Sequence, residues 1–130
     1  MISMNNTPIF ENNIISLSYL GKILLVDYKK RSIIDLKAVQ NSIKEREKLA
    51  KKAPLLVIAD ISKIEYITRD ARAFLAGPSN KTLATAIVFH SKIQEVIGKI
   101  YIKFHKPKTP VKLFTRISDA HEWLQTFIKS

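Results

Sequence analysis

The chain has 130 residues, a length suited to a single domain with a core of its own. Its apolar fraction of 46% and charged fraction of 25% are ordinary for a folded protein and exclude wholesale disorder. It has no cysteine, which excludes disulfides, thiolate nucleophiles and cysteine-based zinc or iron–sulfur sites. The net charge of +11 suits nucleic acid, anionic lipid or acidic protein, and equally suits plain solubility.

Residues 1–13 read as a loose polar tail with Ile9 and Phe10 as its only anchors. They lack the basic-then-apolar pattern of a signal peptide. No apolar run approaches the roughly 20 residues that cross a bilayer, so no transmembrane segment is expected and the cytoplasm is the expected location. The domain is expected over 14–130. Ile14, Ile15, Leu17 and Tyr19, then Gly21, then Ile23–Val26 and Tyr28 predict a β-hairpin broken at the glycine. Asp35 is placed to cap a helix whose Leu36, Val39, Ile43, Ala50 and Ala53 recur at helical spacing. Its opposite face carries Lys37, Lys44, Lys48 and Lys51, with Glu47–Lys51 as an i,i+4 pair.

Pro54 ends that helix, and the unbroken apolar run Leu55–Ala59 before Asp60 predicts a strand buried on both faces. Thr68 is the expected cap of a short helix with Ala71, Phe74 and Leu75 inward, ended by Gly77-Pro78. Ala84–Phe89 predicts another buried strand. Ser91 and Gln94 have capping-box spacing and open a helix presenting Ile93, Val96, Ile97, Ile100, Tyr101 and Phe104. The alternation in Lys99–Phe104 leaves an extended segment as the alternative there, and Gly98 suggests close packing on the sheet. Val111–Phe114 predicts a short strand, and Ser118 a cap for a last helix with Ala120, Trp123, Leu124, Phe127 and Ile128 inward. The order β-β-α-β-α-β-α-β-α predicts right-handed crossovers and a mainly parallel five-stranded sheet with about four helices.

Two stretches, Leu55–Ala76 and Val111–Ile128, resemble the SpoIIAA-like superfamily, which includes the STAS (sulfate transporter and anti-anti-sigma factor) domains. The chain looks most like small bacterial STAS/SEC14-like proteins, and the likeness spans about 14–130. The resemblance implies a SpoIIAA-like α/β fold and a regulatory or protein-interaction role. In anti-anti-sigma factors of that superfamily, a kinase phosphorylates the second hydroxyl residue of a D-S-S/T-G pattern after the central strand. Asp60-Ile61-Ser62 matches the start of the longer motif, but the later half reads Thr68-Arg69-Asp70-Ala71. Asp70 stands at the phosphorylated position, where a carboxylate accepts no phosphate by that chemistry and carries less charge than a phosphoserine.

The resemblance and the residues together nominate a surface of Asp60, Ser62, Thr68, Arg69, Asp70, Arg72 and His90 for a protein partner. Asp60 and His90 are included because strand C-terminal edges host sites in parallel sheets. A basic patch of Lys44, Lys48, Lys51, Lys52, Lys99, Lys103, Lys106 and Lys108 is the alternative, for weak nucleic-acid or anionic-lipid binding. A small-molecule-binding or enzymatic domain is the third reading. No histidine pair has metal-ligand spacing, and there is no phosphate-cradling glycine loop or nucleophile elbow. No catalytic residue, metal or cofactor is therefore expected. Exposed sheet edges leave homodimerisation open.

Overall fold

The computed structural model describes residues 8–29, 33–50, 54–77 and 81–128. The chain enters through β1 (Phe10–Glu11) and β2 (Ile15–Leu20) and returns through β3 (Ile23–Tyr28). Gly21 turns the β2–β3 hairpin with φ +65°, a conformation that a side chain would strain. Next come β4 (Ile33–Ile34), α1 (Leu36–Leu49), β5 (Leu55–Asp60), β6 (Tyr66–Ile67), α2 (Arg69–Ala76) and β7 (Thr82–Val88). The chain closes with α3 (Lys92–Ile100), a π-helical turn (Tyr101–His105), β8 (Val111–Phe114) and α4 (Ile117–Gln125).

The main sheet is six-stranded and mixed, in the order β1-β2-β3-β5-β7-β8. The first two pairings are antiparallel and the rest parallel. It holds the five expected strands and adds β1 at one edge, within the stretch read as a tail. A separate parallel pair, β4–β6, sits outside it. Alternate residues of the central strands feed two cores. Leu24, Val26, Val57 and Ala59 face α1, α2 and α3. Leu25, Leu56, Ile58 and Val88 face α4, where Ala120 and Leu124 are buried. Leu24, Val26, Val57 and Ile58 are each 0% exposed, a burial that contributes about 1.5–3 kcal/mol per side chain.

Local signals hold at several termini. Asp35 Oδ1 accepts from the Ala38 amide at 2.9 Å and caps α1. The capping box of Ser91 and Gln94 forms in full. Other expectations are corrected. Thr68 sits at the cap position of α2, but its hydroxyl donates to Asp70 instead of capping. Ser118 lies in the first turn of α4, whose cap position is Arg116. Phe74, Ile93, Val96 and Phe104 are exposed rather than inward. Lys99–Phe104 is helical, yet the switch from α to π after Ile100 breaks the phase that would have carried Phe104 to the sheet. Lys51 and Pro78 lie outside the described residues.

Candidate functional site

Four elements meet over the parallel strands and leave a cavity of about 80 Å³. Its floor is Tyr28 of β3, Ala59 of β5, and Thr85 and Ile87 of β7. Ile43 and Arg46 of α1, Arg72 and Leu75 of α2, and Ile97 of α3 wall it, with Tyr101 of the π-helical turn. Lys108 stands among its lining residues. Among the described residues the lining contains no aspartate or glutamate.

Both arginines are 6% exposed. Arg46 reaches the interior because it shares the inner stripe of α1 with Val39 and Ser42, at helical spacing. Its Nη2 donates to Tyr28 Oη over 3.4 Å, and its Nε has no partner. Arg72 follows Ala71 on the buried side of α2. Its Nη1 donates to the Ile67 carbonyl and its Nε to His105 Nε2 at 3.4 Å, while the guanidinium lies 5.4 Å from the Tyr66 ring centroid. Among the described residues neither arginine has a carboxylate partner.

The charges leave a mark on their neighbours. Burial holds the His105 imidazole below the usual histidine range, and Arg72 and Arg69 lower it further. A neutral ring is what lets Nε2 accept from Arg72. Burial also pushes the Tyr101 phenol well above its ordinary value, with Arg46 opposing, so its hydroxyl stays protonated.

The nominated interaction residues separate into distinct places. Asp60 is buried and accepts from the Ser62 amide at 2.9 Å, closing the turn after β5. Asp70 accepts from the Thr68 hydroxyl at 2.6 Å and from the Ala71 amide at 2.9 Å. His90 is exposed, and its amide donates to Gln94. No hydrogen bond or ion pair joins Asp60, Asp70 and His90 among the described residues. Thr68, Arg69 and Asp70 do share the start of α2, beside the paired strands β4 and β6. Arg72, nominated for that surface, is corrected to the interior, because its stem follows the buried side of the helix.

Of the nominated basic patch, Lys51 and Lys52 lie outside the described residues. Lys44 is exposed on α1, Lys48 pairs with Glu45 and Lys99 with Glu95. Lys103 lies over the Phe104 ring, and Lys106 takes a left-handed conformation at φ 47°. Among the described residues of the patch, Lys108 alone lines the cavity. Sequence reasoning missed both Arg46 as an interior residue and the cavity it lines. The signal was available, since residues 39, 43, 46 and 50 fall on one helical face.

Among the described residues no cluster of three histidines, aspartates or glutamates has the arrangement of a metal site. Nor is any described helix long and apolar enough to cross a membrane.

A crystal structure of an uncharacterized DUF3478-family protein with a SpoIIAA-like fold, from Shewanella loihica PV-4, is similar to this chain. The TM-score is 0.59 at 16% identity, covering 88% of this chain and 98% of that one. The likeness shows a SpoIIAA-like fold, in agreement with the resemblance read from the sequence. Among curated proteins none matches. The model of the domain of unknown function DUF7793 matches residues 15–128, and the chain belongs to that family.

Proposed function

We propose that this domain is a non-enzymatic interaction module that meets a protein partner at the start of α2 and the adjoining β4–β6 pair. The observation that carries this reading is the exposed pair Ile33 and Tyr66. They are direct partners in the parallel β4–β6 register, and are 59% and 42% exposed, while their neighbours Ile34 and Ile67 are buried. An apolar spot beside the charged Arg69 and Asp70 has the make-up of a small recognition surface. The SpoIIAA-like fold supports the class of function. Asp70 gives this surface a fixed negative charge where the resembled anti-anti-sigma factors carry a phosphorylatable hydroxyl, so partner binding here is independent of that modification.

The test is a tagged-protein capture from native extract, nuclease-treated and washed near physiological salt, followed by mass spectrometry. A stoichiometric protein is expected with the wild type and is lost with Tyr66→Ser or Arg69→Glu, both at exposed positions. A partner retained by both variants would move the interface elsewhere. Recovery of no protein would remove the reading.

A further inference from the structure

We propose that the cavity between α1, α2, α3 and the π-helical turn binds a small organic carboxylate. The carboxylate group meets Arg46 and Arg72, and the apolar body lies against Ile43, Leu75 and Ile97.

The argument starts from the two buried guanidiniums. A charge taken out of water is costly unless it is paired and hydrogen-bonded. Arg46 meets only a tyrosine hydroxyl, at a long 3.4 Å, and leaves Nε with no acceptor. The partners of Arg72 are a carbonyl oxygen, an imidazole nitrogen and an aromatic face, all neutral. Lys108 adds a third positive group to a lining that holds no negative one. The missing component is an anion with acceptor oxygens. A carboxylate offers two, in the plane a guanidinium fork matches.

The walls and the size decide the rest of the ligand. Ile43, Ile61, Ile67, Leu75, Ile87 and Ile97 make the wall mainly apolar, with Thr82, Thr85 and Thr109 as its neutral polar side chains beside the tyrosines. A nucleotide or sugar phosphate is too bulky for the space and brings more hydroxyls than these few groups satisfy. Size sets the upper limit. An apolar cavity of about 150 Å³ holds one benzene ring, so a space of about 80 Å³ suits an acid of a few carbons. Tyr66 touches Arg72 from the Ile33–Tyr66 surface, so Arg69→Glu is the variant that tests that surface apart from this cavity, and either reading can fail without the other.

The test is calorimetric titration of the full chain with propionate, butyrate, butanol and inorganic phosphate. Wild type is compared with Arg46→Met and Ala59→Leu. An acid is expected to bind, and butanol and phosphate to bind at least tenfold more weakly. Arg46→Met should weaken the acid by about 10- to 100-fold, the worth of a charged hydrogen bond. The same variant should melt at or above the wild-type temperature, because an unpaired buried charge replaced by an apolar chain is no loss to the fold. Ala59→Leu adds bulk at the cavity floor and should abolish binding with both arginines in place. If Arg46→Met melts lower than wild type, the acid–alcohol comparison and Ala59→Leu still decide the matter. The proposal is overturned if neither acid binds, if butanol or phosphate matches the acids, or if the acids bind Ala59→Leu as they bind the wild type.

Discussion

A Cβ added to Gly98 would lie 2.7 Å from Leu113 Cδ2, so α3 and β8 approach as closely as a missing side chain allows. Glycine inside a helix costs about 1 kcal/mol relative to alanine, and here close packing offsets that cost. Gly98→Ala in the wild type should therefore gain little or lose stability, since Leu113 must shift. In a Leu113→Ala background the same change should stabilise by about 1 kcal/mol. Denaturant unfolding of the four members of this cycle checks the coupling, and additive effects would show that the contact is unimportant.

Gln94 ties three segments together from the first turn of α3. Its Oε1 accepts from the His90 and Ser91 amides, and its Nε2 donates to the carbonyls of Ser62 and Ile64. The side chain is buried, so removing it strands several polar groups at once. Gln94→Ala is expected to cost about 2–4 kcal/mol. Gln94→Glu should cost more at neutral pH, because a carboxylate would face the two carbonyls, and should recover partly in acid. Chemical denaturation at pH 7 and pH 5 separates the two variants.

His105 links pH to stability. Its folded pKa lies below the ordinary 6.5, so an unfolded chain takes up a proton that the folded chain still refuses. Stability should fall as pH drops below about 6.5 and level off beneath the folded value. His105→Gln should flatten this part of the curve. An NMR titration of the ring protons gives the midpoint directly, and a midpoint above 6.5 would refute the assignment.

Asp27 and Asp60 are register partners at the C-terminal ends of β3 and β5, and Lys63 reaches Asp27 at 3.3 Å. Burial pushes the Asp27 carboxyl up, Lys63 opposes this, and Asp60 adds to it. A raised folded pKa means the folded chain holds a proton longer than the unfolded chain. That contribution is present in acid and lost as pH rises through the folded value. Asp27→Asn should thus lose little at pH 7, the exposed Lys63 contact being worth at most about 1 kcal/mol. Thermal melts of both proteins from pH 3.5 to 7 should show the wild type losing ground relative to the variant as pH rises.

The strands that form the middle of the sheet were legible because both their faces are buried. Leu55–Ala59 has no polar break, and its helical flanks are marked by Asp35, Pro54 and Gly77. Two-residue strands were not legible. Ile33–Ile34 and Tyr66–Ile67 are too short to show a period, and only the tertiary register sets Ile33 beside Tyr66. The capping box marks the start of α3, but an unbroken 3.6-residue phase predicts Phe104 inward, and the π turn that exposes it leaves no sign in the residue pattern. Arg46 stands among charged neighbours in the sequence, although its position in the helical repeat places it inside. Charge suggested a solvated face and phase a buried one, and the structure followed phase.

The π-helical turn has a bearing on inheritance as well as on shape. A π turn closes its hydrogen bonds over one more residue than an α turn, which is the signature of one residue accommodated within a helix. A single-residue deletion that restored an α turn would leave the following residues close to their present phase. A return to α geometry at unchanged length would instead swing them by about 100° around the axis. The sheet would keep its strands, and the nitrogen that now accepts from Arg72 would be carried away from it. Among variants of this chain, the π geometry of this short stretch therefore constrains the arginine pocket as firmly as the identity of the residues lining it.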